Sequence, residues 1–507
     1  MSHLRARRSA TVAVSTAVAL GAVLAVPSPV SAADASPGSS TGPSSSDSPY
    51  LVRAVPGVTT TSLLTVGDAP TNDPGYRMVG IPDGLGAFDN GDGTFTVVMN
   101  HELRPDRGAI REHGARGAFV SRWVVDKETL EVVSGDDLIE DVFTWNGTAH
   151  QLSTVIFNRL CSADLAEPAA YVDAASGLGY DAGRLFTNGE EAGDEGRGFV
   201  HVASGPDAGQ SYELPHLGNF SYENAVSRPV ASPTTVTVAL DDSTPGQVYV
   251  YAGTKRAEGN PAERAGLVGG SLFGIKVDGL SLALLGGKHA EDATIPLDGS
   301  TFTFTGVDLG DVSGLTGAQL EARSTALGVT QFARPEDGAW TTDGNGFVFA
   351  TTASFTGHSR LWELEFVDPT DPSKGGTARV LLEGPAAGTA GPKMLDNLTV
   401  NGRDQVLAQE DPGNQEHLAS IWQYDPATDA ARRVAQHSPE FFSTGGGSFL
   451  TTDEESSGII PLDDILGRGQ YLLTSQVHTA HPDAELVEYG QLLVMHVPPG
   501  QKVGSRK

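Results

Sequence analysis

The chain has 507 residues, with 63 Asp or Glu against 33 Lys or Arg and a formal net charge of −30. That balance, with no basic run beyond the first ten residues, excludes the basic face that a phosphate-backbone binder needs, so no nucleic-acid surface is expected. The 62 glycines make up about 12% of the chain against roughly 7% in average proteins, which points to a turn-rich, all-β protein. The single cysteine excludes an intramolecular disulfide framework and any multi-cysteine zinc site.

Residues 1–32 read as an export signal: Arg5, Arg7 and Arg8, an apolar stretch from Ala10 to Val26, then the small-residue cleavage site Val30-Ser31-Ala32. This predicts a secreted protein with no stable membrane span. The pair Arg7-Arg8 leaves both the general and the twin-arginine routes open. Residues 33–49 are rich in Ser, Pro, Gly and Asp and read as a flexible linker. The folded domain is expected over 50–507.

From Tyr50 onward no long segment keeps apolar residues at i, i+3 and i+4. Short alternating strands recur instead, separated by Gly, Asp, Asn or Pro. Pairs of them run 92–102 with 118–126, 183–191 with 198–204, 234–243 with 247–253, 346–354 with 359–366, and 404–411 with 420–425. A sixth, weaker pair is 469–478 with 491–497, and 281–330 has weak strand signals. Five or six such units predict a β-propeller of about six blades, with paired β-sandwiches as the alternative.

In a propeller, equivalent strand ends meet at one channel mouth. Glu102, Glu190, Glu191, Asp241, Asp242, Glu410 and Asp411 all stand at such ends. Carboxylates gathered there repel one another by several kcal/mol unless cations lie between them. The pattern therefore implies bound hard metal, calcium first, because calcium accepts six to eight oxygens in flexible geometry.

Other clusters add chemistry. In RPEDGAW (334–340), Arg334 beside Glu336 and Asp337 either forms an ordinary ion pair or grips a phosphate or carboxylate in bidentate fashion. Glu223 is the one acid in the otherwise uncharged SYENAV (221–226), and a carboxylate among apolar residues needs a partner. Asp396 and Asn397 precede an alternating strand as a turn cap or as oxygen ligands. Cys161 is either a small buried hydrophobe or a thiolate ligand, which selects softer metals such as iron or zinc. DEESSG (453–458) reads as an acidic turn, and His101, His478 and His481 lie near strand ends. No GxSxG elbow, HExxH helix, EF-hand loop, Walker loop or dinucleotide fingerprint occurs.

In order, NHE (100–102), Cys161 followed by NGEE (188–191), FSYE (220–223), the pair Asp241-Asp242, RPE (334–336) and Asp396-Asn397 resemble the PhoX-type alkaline phosphatases. These are secreted metalloenzymes of β-propeller fold, and the resemblance spans roughly 80–480. It implies hydrolysis of small phosphate monoesters with calcium and iron (Fe3+) as cofactors. It places Cys161 and Glu223 at iron, and Glu190, Glu191, Glu336 and the Asp396-Asn397 pair among the remaining ligands. It makes Arg334 the phosphate-contacting arginine. With it, Asp241, Asp242, Asp337, Glu410 and Asp411 are expected at metal, His101 and Glu102 are expected behind the ligands, and the protein is expected to be a monomer. A calcium-containing propeller lactonase or esterase, and a non-catalytic calcium-stabilised binding propeller, are the competing readings.

Overall fold

Strand Thr94–His101 shows why this sequence stacks sheets. Period-two alternation sends Phe95, Val97 and Met99 against Leu63, Trp123 and Leu472, and sends Val98 the other way, against Val120, Phe157 and Phe186. Both faces are buried, so the strand is apolar on both sides. The same split recurs in Thr234–Asp241, where Val236, Val238 and Leu240 join one core cluster and Ala239 another. Each sheet is thus packed between two neighbours.

The computed structural model describes residues 36–280, 290–388 and 390–498. Within them, six antiparallel meanders follow one another, each led by an inner strand. The first is Pro82–Asp89, Thr94–His101, Phe119–Asp126 and Val132–Asp137. The second is Leu160–Asp164, Leu185–Glu190, Gly198–Val202 and Gln210–Glu213. The third is Tyr222–Ser227, Thr234–Asp241, Val248–Thr254 and Ser271–Val277. The fourth is Pro335–Trp340, Gly346–Thr351, Arg360–Phe366 and Gly376–Glu383. The fifth is Leu395–Val400, Val406–Glu410, Ser420–Asp425 and Ala430–His437. The sixth is Glu454–Pro461, Gln470–Ala480 and Glu488–His496, completed by Thr59–Thr65 from near the start of the described chain.

Each inner strand contacts the inner strand of the next meander, and Glu454–Pro461 contacts Pro82–Asp89, so the ring closes. The protein is a β-propeller, as its strand pattern predicts.

The linker reading of 33–49 needs correction from residue 36 onward. Ser39–Thr41 pairs in parallel with Thr59–Thr65, Val132 N donates to Ser44 Oγ at 3.0 Å, and Ser62 Oγ donates to the Asp47 carbonyl at 2.8 Å. This strip is held by hydrogen bonds rather than by apolar burial, so its composition resembled that of free chain. The export-signal reading of 1–32 lies outside the described residues.

Strand Thr301–Gly310 pairs with Ser271–Val277 on one edge and Gly376–Glu383 on the other, joining the third and fourth meanders in one sheet. Its side chains are largely exposed or half-buried, which is why its apolar signal is weak. Helix Gly317–Leu327 follows, opened by a capping box of Thr316 and Gln319. Among the described residues no helix is long and apolar enough to cross a membrane.

Candidate metal centre

The second residues of the six inner strands are Asp83, Cys161, Glu223, Glu336, Asp396 and Glu455, all buried. A shared irregularity presents them. Pro82 pairs with His101 but Leu85 with Met99, so the inner strand carries one extra residue at this point. The same one-residue excess occurs at Leu160–Ala163, Tyr222–Asn224, Pro335–Gly338 and Leu395–Leu398. Such a bulge frees a side chain from the ladder's alternation and re-aims it. In the sixth meander the break comes later, between Ser457 and Ile459.

Four of these strands begin just after a non-glycine residue of positive φ: Ile81 (51°), Arg159 (51°), Arg334 (61°) and Met394 (44°). Such conformations cost on the order of 1–3 kcal/mol each and cluster at sites where the surrounding structure enforces them.

Antiparallel pairing brings the ends of the second strands to the same mouth. Glu102, Glu191, Asp242 and Asp411 each lie one residue beyond a second strand, and His478 lies near the end of another. Glu191 is repelled by Glu102, Asp242 and Glu336, Asp396 by Glu336, Glu455 and Asp411, and Asp83 by Glu455 and Glu102. Nine carboxylates therefore share one electrostatic environment: Asp83, Glu102, Glu191, Glu223, Asp242, Glu336, Asp396, Asp411 and Glu455.

Three of the seven acids expected at the mouth turn away from it. Glu190 is held by Arg197 through Nε at 2.7 Å and Nη2 at 3.1 Å. Asp241 accepts from Ser243 Oγ at 2.7 Å and from the Gln247 amide at 3.3 Å. Glu410 is fully engaged by the Lys393 and Ser420 amides, His417 and Trp422, at 2.7–3.0 Å. The reason is strand alternation: of two adjacent residues only one faces the mouth, and it is the second in Glu190-Glu191, Asp241-Asp242 and Glu410-Asp411.

Asp337 and Asn397 lie one layer deeper. Asp337 accepts from Asn224 Nδ2 at 2.6 Å and from the Gly338 and Leu398 amides at 2.7 and 3.1 Å, so it is a satisfied structural acid. Asn397 Nδ2 donates to Ser162 Oγ at 3.0 Å, while its Oδ1 has no hydrogen-bond partner. His101 points away, stacked on Phe119 at 4.3 Å and hydrogen-bonded to Ser121 Oγ at 2.9 Å. His481 packs against Tyr489. Glu102, expected behind the ligands, instead faces the mouth beside Asp83 and Cys161.

Among the described residues two groups have ligand atoms all within 4.8 Å of one another: Asp83, Glu102 and Cys161, and Glu223, Glu336 and Asp396. Burial pushes the carboxyls of Asp83, Glu223, Glu336 and Asp396 well above the usual carboxylate range; repulsion from neighbouring acids adds to this for each, Arg334 opposing it at Glu336 and Asp396. Burial and the same acids push the Cys161 thiol up as well. Asp83 Oδ1 and Glu223 Oε1 are buried acceptors without hydrogen-bond partners, and Glu336 Oε1 meets only the Arg334 guanidinium. Buried orphan acceptors in a crowd of like charge fit cations, and the donor set suits them: one group is all oxygen, the other includes a thiol.

Cations from the protein itself cover part of this charge. Arg334 donates to Asp242 at 2.9 and 3.1 Å and lies 2.7 Å from Glu336 Oε1. Arg159 donates to Glu102 at 2.6 Å and lies 2.5 Å from Glu191 Oε2. Glu336 and the Glu102 and Glu191 pair hold the two guanidinium groups firmly protonated. His478 sits between Glu455 at 3.3 Å and Glu488 at 3.1 Å. Burial opposes its charge, but these two acids raise its pKa to about 11.

Beneath the mouth a buried relay fixes the second inner strand. His201 Nε2 meets Asn188 Oδ1 at 2.8 Å, Asn188 Nδ2 donates to Asn100 Oδ1 at 2.9 Å, and Asn100 Nδ2 donates to the Cys161 carbonyl at 2.7 Å. Glycine is required at two points nearby. A Cβ at Gly84 would lie 2.4 Å from the Ala163 amide, and one at Gly189 would lie 2.3 Å from the Tyr222 ring. Gly189 in NGEE is therefore a packing residue.

Sequence reasoning missed Asp83, Arg159, Ser457 and Gln476, and left Glu455 as an acidic turn. Gln476 Nε2 donates to Asp83 at 2.7 Å, Glu102 at 3.2 Å and Ser457 at 3.0 Å, tying the first and sixth meanders together. A signal was present: PDG, LCS, YEN, PED, LDN and EES open the six inner strands, each with an acid or Cys second. The second strands are the more apolar, so the acids at their ends are the more conspicuous along the chain.

No family model and no curated protein matches the chain. Among solved structures, the Pseudomonas fluorescens PhoX in complex with vanadate, a transition state analogue, aligns with TM-score 0.61 at 12% identity, covering 88% of this chain and 96% of that one. A luciferin-regenerating enzyme aligns with TM-score 0.37 at 10% identity, covering 83% and 92%. A gluconolactonase from Xanthomonas campestris aligns with TM-score 0.36 at 11% identity, covering 89% and 95%. At these identities the likeness is one of fold, and the β-propeller is what the chain shares with the PhoX structure.

Proposed function

We propose that this chain is an exported, metal-dependent hydrolase of small phosphate monoesters, acting as a monomer. The observation that carries the reading is the meeting of unpartnered, buried acid oxygens with a guanidinium, Arg334, anchored on Asp242 and Glu336 at the same mouth. A site for a phosphate ester needs cations for the oxygens and a fixed donor fork, and both are provided for here. Glu223, Glu336 and Asp396 would hold calcium, and Asp83, Glu102 and Cys161 would hold a transition metal such as iron, with Glu191, Asp411 and Glu455 completing the shells. Bound there, such ions supply Lewis-acid polarisation of the phosphoryl oxygens and activation of water.

The chain's own residues do the rest. Asp242 and Glu336 hold the Arg334 guanidinium by two edges, so its remaining Nη1 edge meets an equatorial phosphoryl oxygen without reorganisation. Arg334 keeps its proton throughout and neutralises charge as the leaving oxygen departs. Ser457 and Gln476 hold Asp83 in place through its Oδ2, leaving Oδ1 turned to the site. The fold shared with the vanadate-bound PhoX supports this reading.

A calcium-dependent lactonase or esterase is the second reading, because the group of Glu223, Glu336 and Asp396 is all oxygen and does not include Cys161. Hydrolysis of p-nitrophenyl phosphate at alkaline pH, before and after chelation and beside a sugar lactone, separates the two. Calcium-dependent phosphatase activity is expected. A folded, metal-loaded protein that opens the lactone and spares the phosphate ester overturns the first reading in favour of the second.

A further inference from the structure

Arg159 and Arg334 hold the same station two meanders apart. Each immediately precedes an inner strand, each has positive φ, and each spreads its guanidinium between two acids of the mouth. In Arg159 the bonds to Glu102 and Glu191 use Nε and Nη2; in Arg334 the bonds to Asp242 and Glu336 use the same two nitrogens. Nη1 of each is therefore left without a polar partner among the described residues. The side chains stay 35% and 23% exposed, so these free edges reach solvent. The two groups face the same mouth across one inner strand: Leu160–Asp164, which Arg159 precedes, packs beside Tyr222–Ser227, and that strand packs beside Pro335–Trp340, which Arg334 precedes.

We infer that Arg159 is a second substrate-contacting residue, and that with Arg334 it forms a two-pronged clamp selecting dianionic phosphate monoesters over monoanionic phosphate diesters. The inference rests on the phosphatase reading and extends it to substrate charge. Two guanidinium edges match two charged oxygens of a monoester dianion. A monoester dianion has three unesterified oxygens, so two remain for the guanidinium edges when metal takes one; a diester monoanion has two, so only one remains and it engages one prong. A purely structural Arg159 would need only the Glu102 and Glu191 contacts and would not discriminate between the two.

The test uses the metal-loaded protein with Arg159→Lys, which keeps a positive charge between Glu102 and Glu191, and with Arg159→Ala. Metal content is measured for each. Inorganic phosphate is titrated calorimetrically, and kcat/KM is measured for p-nitrophenyl phosphate and bis(p-nitrophenyl) phosphate. The expected result is a loss of about 10- to 100-fold in phosphate affinity and monoester kcat/KM for Arg159→Lys, the range for one hydrogen bond to a charged group. Diester kcat/KM should stay within about threefold, and metal content should be unchanged. Unchanged phosphate affinity in an Arg159 variant of an active wild type overturns the clamp alone. Parallel loss of both ester activities together with metal also overturns it, since Arg159 then only props up Glu102 and Glu191. A wild type that binds phosphate through Arg159 yet cleaves no monoester overturns the phosphatase reading and leaves the clamp standing.

Discussion

Asn100 Nδ2 donates to the Cys161 carbonyl oxygen at 2.7 Å, so a residue of the first meander fixes the bulged backbone that presents the thiol of the second. The Asn100 side chain is held from its other end by Asn188, and Asn188 by His201. All three side chains are buried, and each hydrogen bond is made far from competing water. Asn100→Ala leaves the Cys161 carbonyl and the Asn188 amide short of partners. The expected cost is about 1–3 kcal/mol of stability, read from denaturant unfolding of the metal-free protein. Asn100→Asp should cost at least as much, because it replaces a donor with a buried acceptor facing a carbonyl.

Cys161 is the one sulfur donor at the mouth, and Cys161→Ser keeps its size while removing the soft ligand. Elemental analysis of protein produced with adequate iron should show the transition metal lost and calcium retained, since Glu223, Glu336 and Asp396 are untouched. Equal iron in variant and wild type would place that metal elsewhere.

Chelation should make stability depend on pH with a definite sign. Burial raises Asp241 and Asp411 to about 7 and Glu454 to about 8. Asp83, Glu223, Glu336 and Asp396 shift in the same direction. Between the ordinary carboxyl range and these raised values the folded state binds more protons than the unfolded one, so metal-free stability falls as pH rises. Buried His201, lowered to about 3, and His437, lowered to about 4, act the other way and remove stability as pH falls below about 6.5. Seven raised carboxyls outweigh two lowered histidines, so the metal-free melting temperature should fall from about pH 5 to about pH 8.5, the histidines only blunting the fall below about pH 6.5. Excess calcium should reduce that fall, since cations replace the protons on the acids of the mouth while Asp241, turned away from it, keeps its own dependence. A melting curve whose calcium effect is the same at both pH values would contradict this.

Arg334→Ala removes the fork held by Asp242 and Glu336. It should lower monoester kcat/KM by about 10²-fold or more, the scale for one oriented donor at a charged transition state. Arg334→Lys should recover only a small part of that, because a point charge cannot hold both carboxylates and keep a third edge free. Steady-state kinetics with metal content as control reads the difference.

Strand alternation, glycine-rich turns and the absence of helical periodicity made the propeller legible without coordinates. Glu223 stood out as an acid in an uncharged stretch and Arg334 as an arginine beside Glu336, whereas Asp396 and Cys161 each kept a plain structural reading and were marked out by the family resemblance. Composition was misleading where contacts are polar: residues 36–49 looked like free linker because their pairing is by backbone and hydroxyl hydrogen bonds.

Chain order and residue chemistry determined that this protein repeats a strand unit, gathers acid at strand ends and carries one thiol. Which acid of each pair faces the mouth was decided only in three dimensions. Glu190, Asp241 and Glu410 and their neighbours Glu191, Asp242 and Asp411 are chemically alike along the chain, and the final pairing register sends one outward to a partner and one inward. Asp83 and Arg159 joined the site because a bulge and a left-handed residue re-aim the chain there. Those features are enforced by packing between meanders rather than by local preference, so they exist only once the ring has closed.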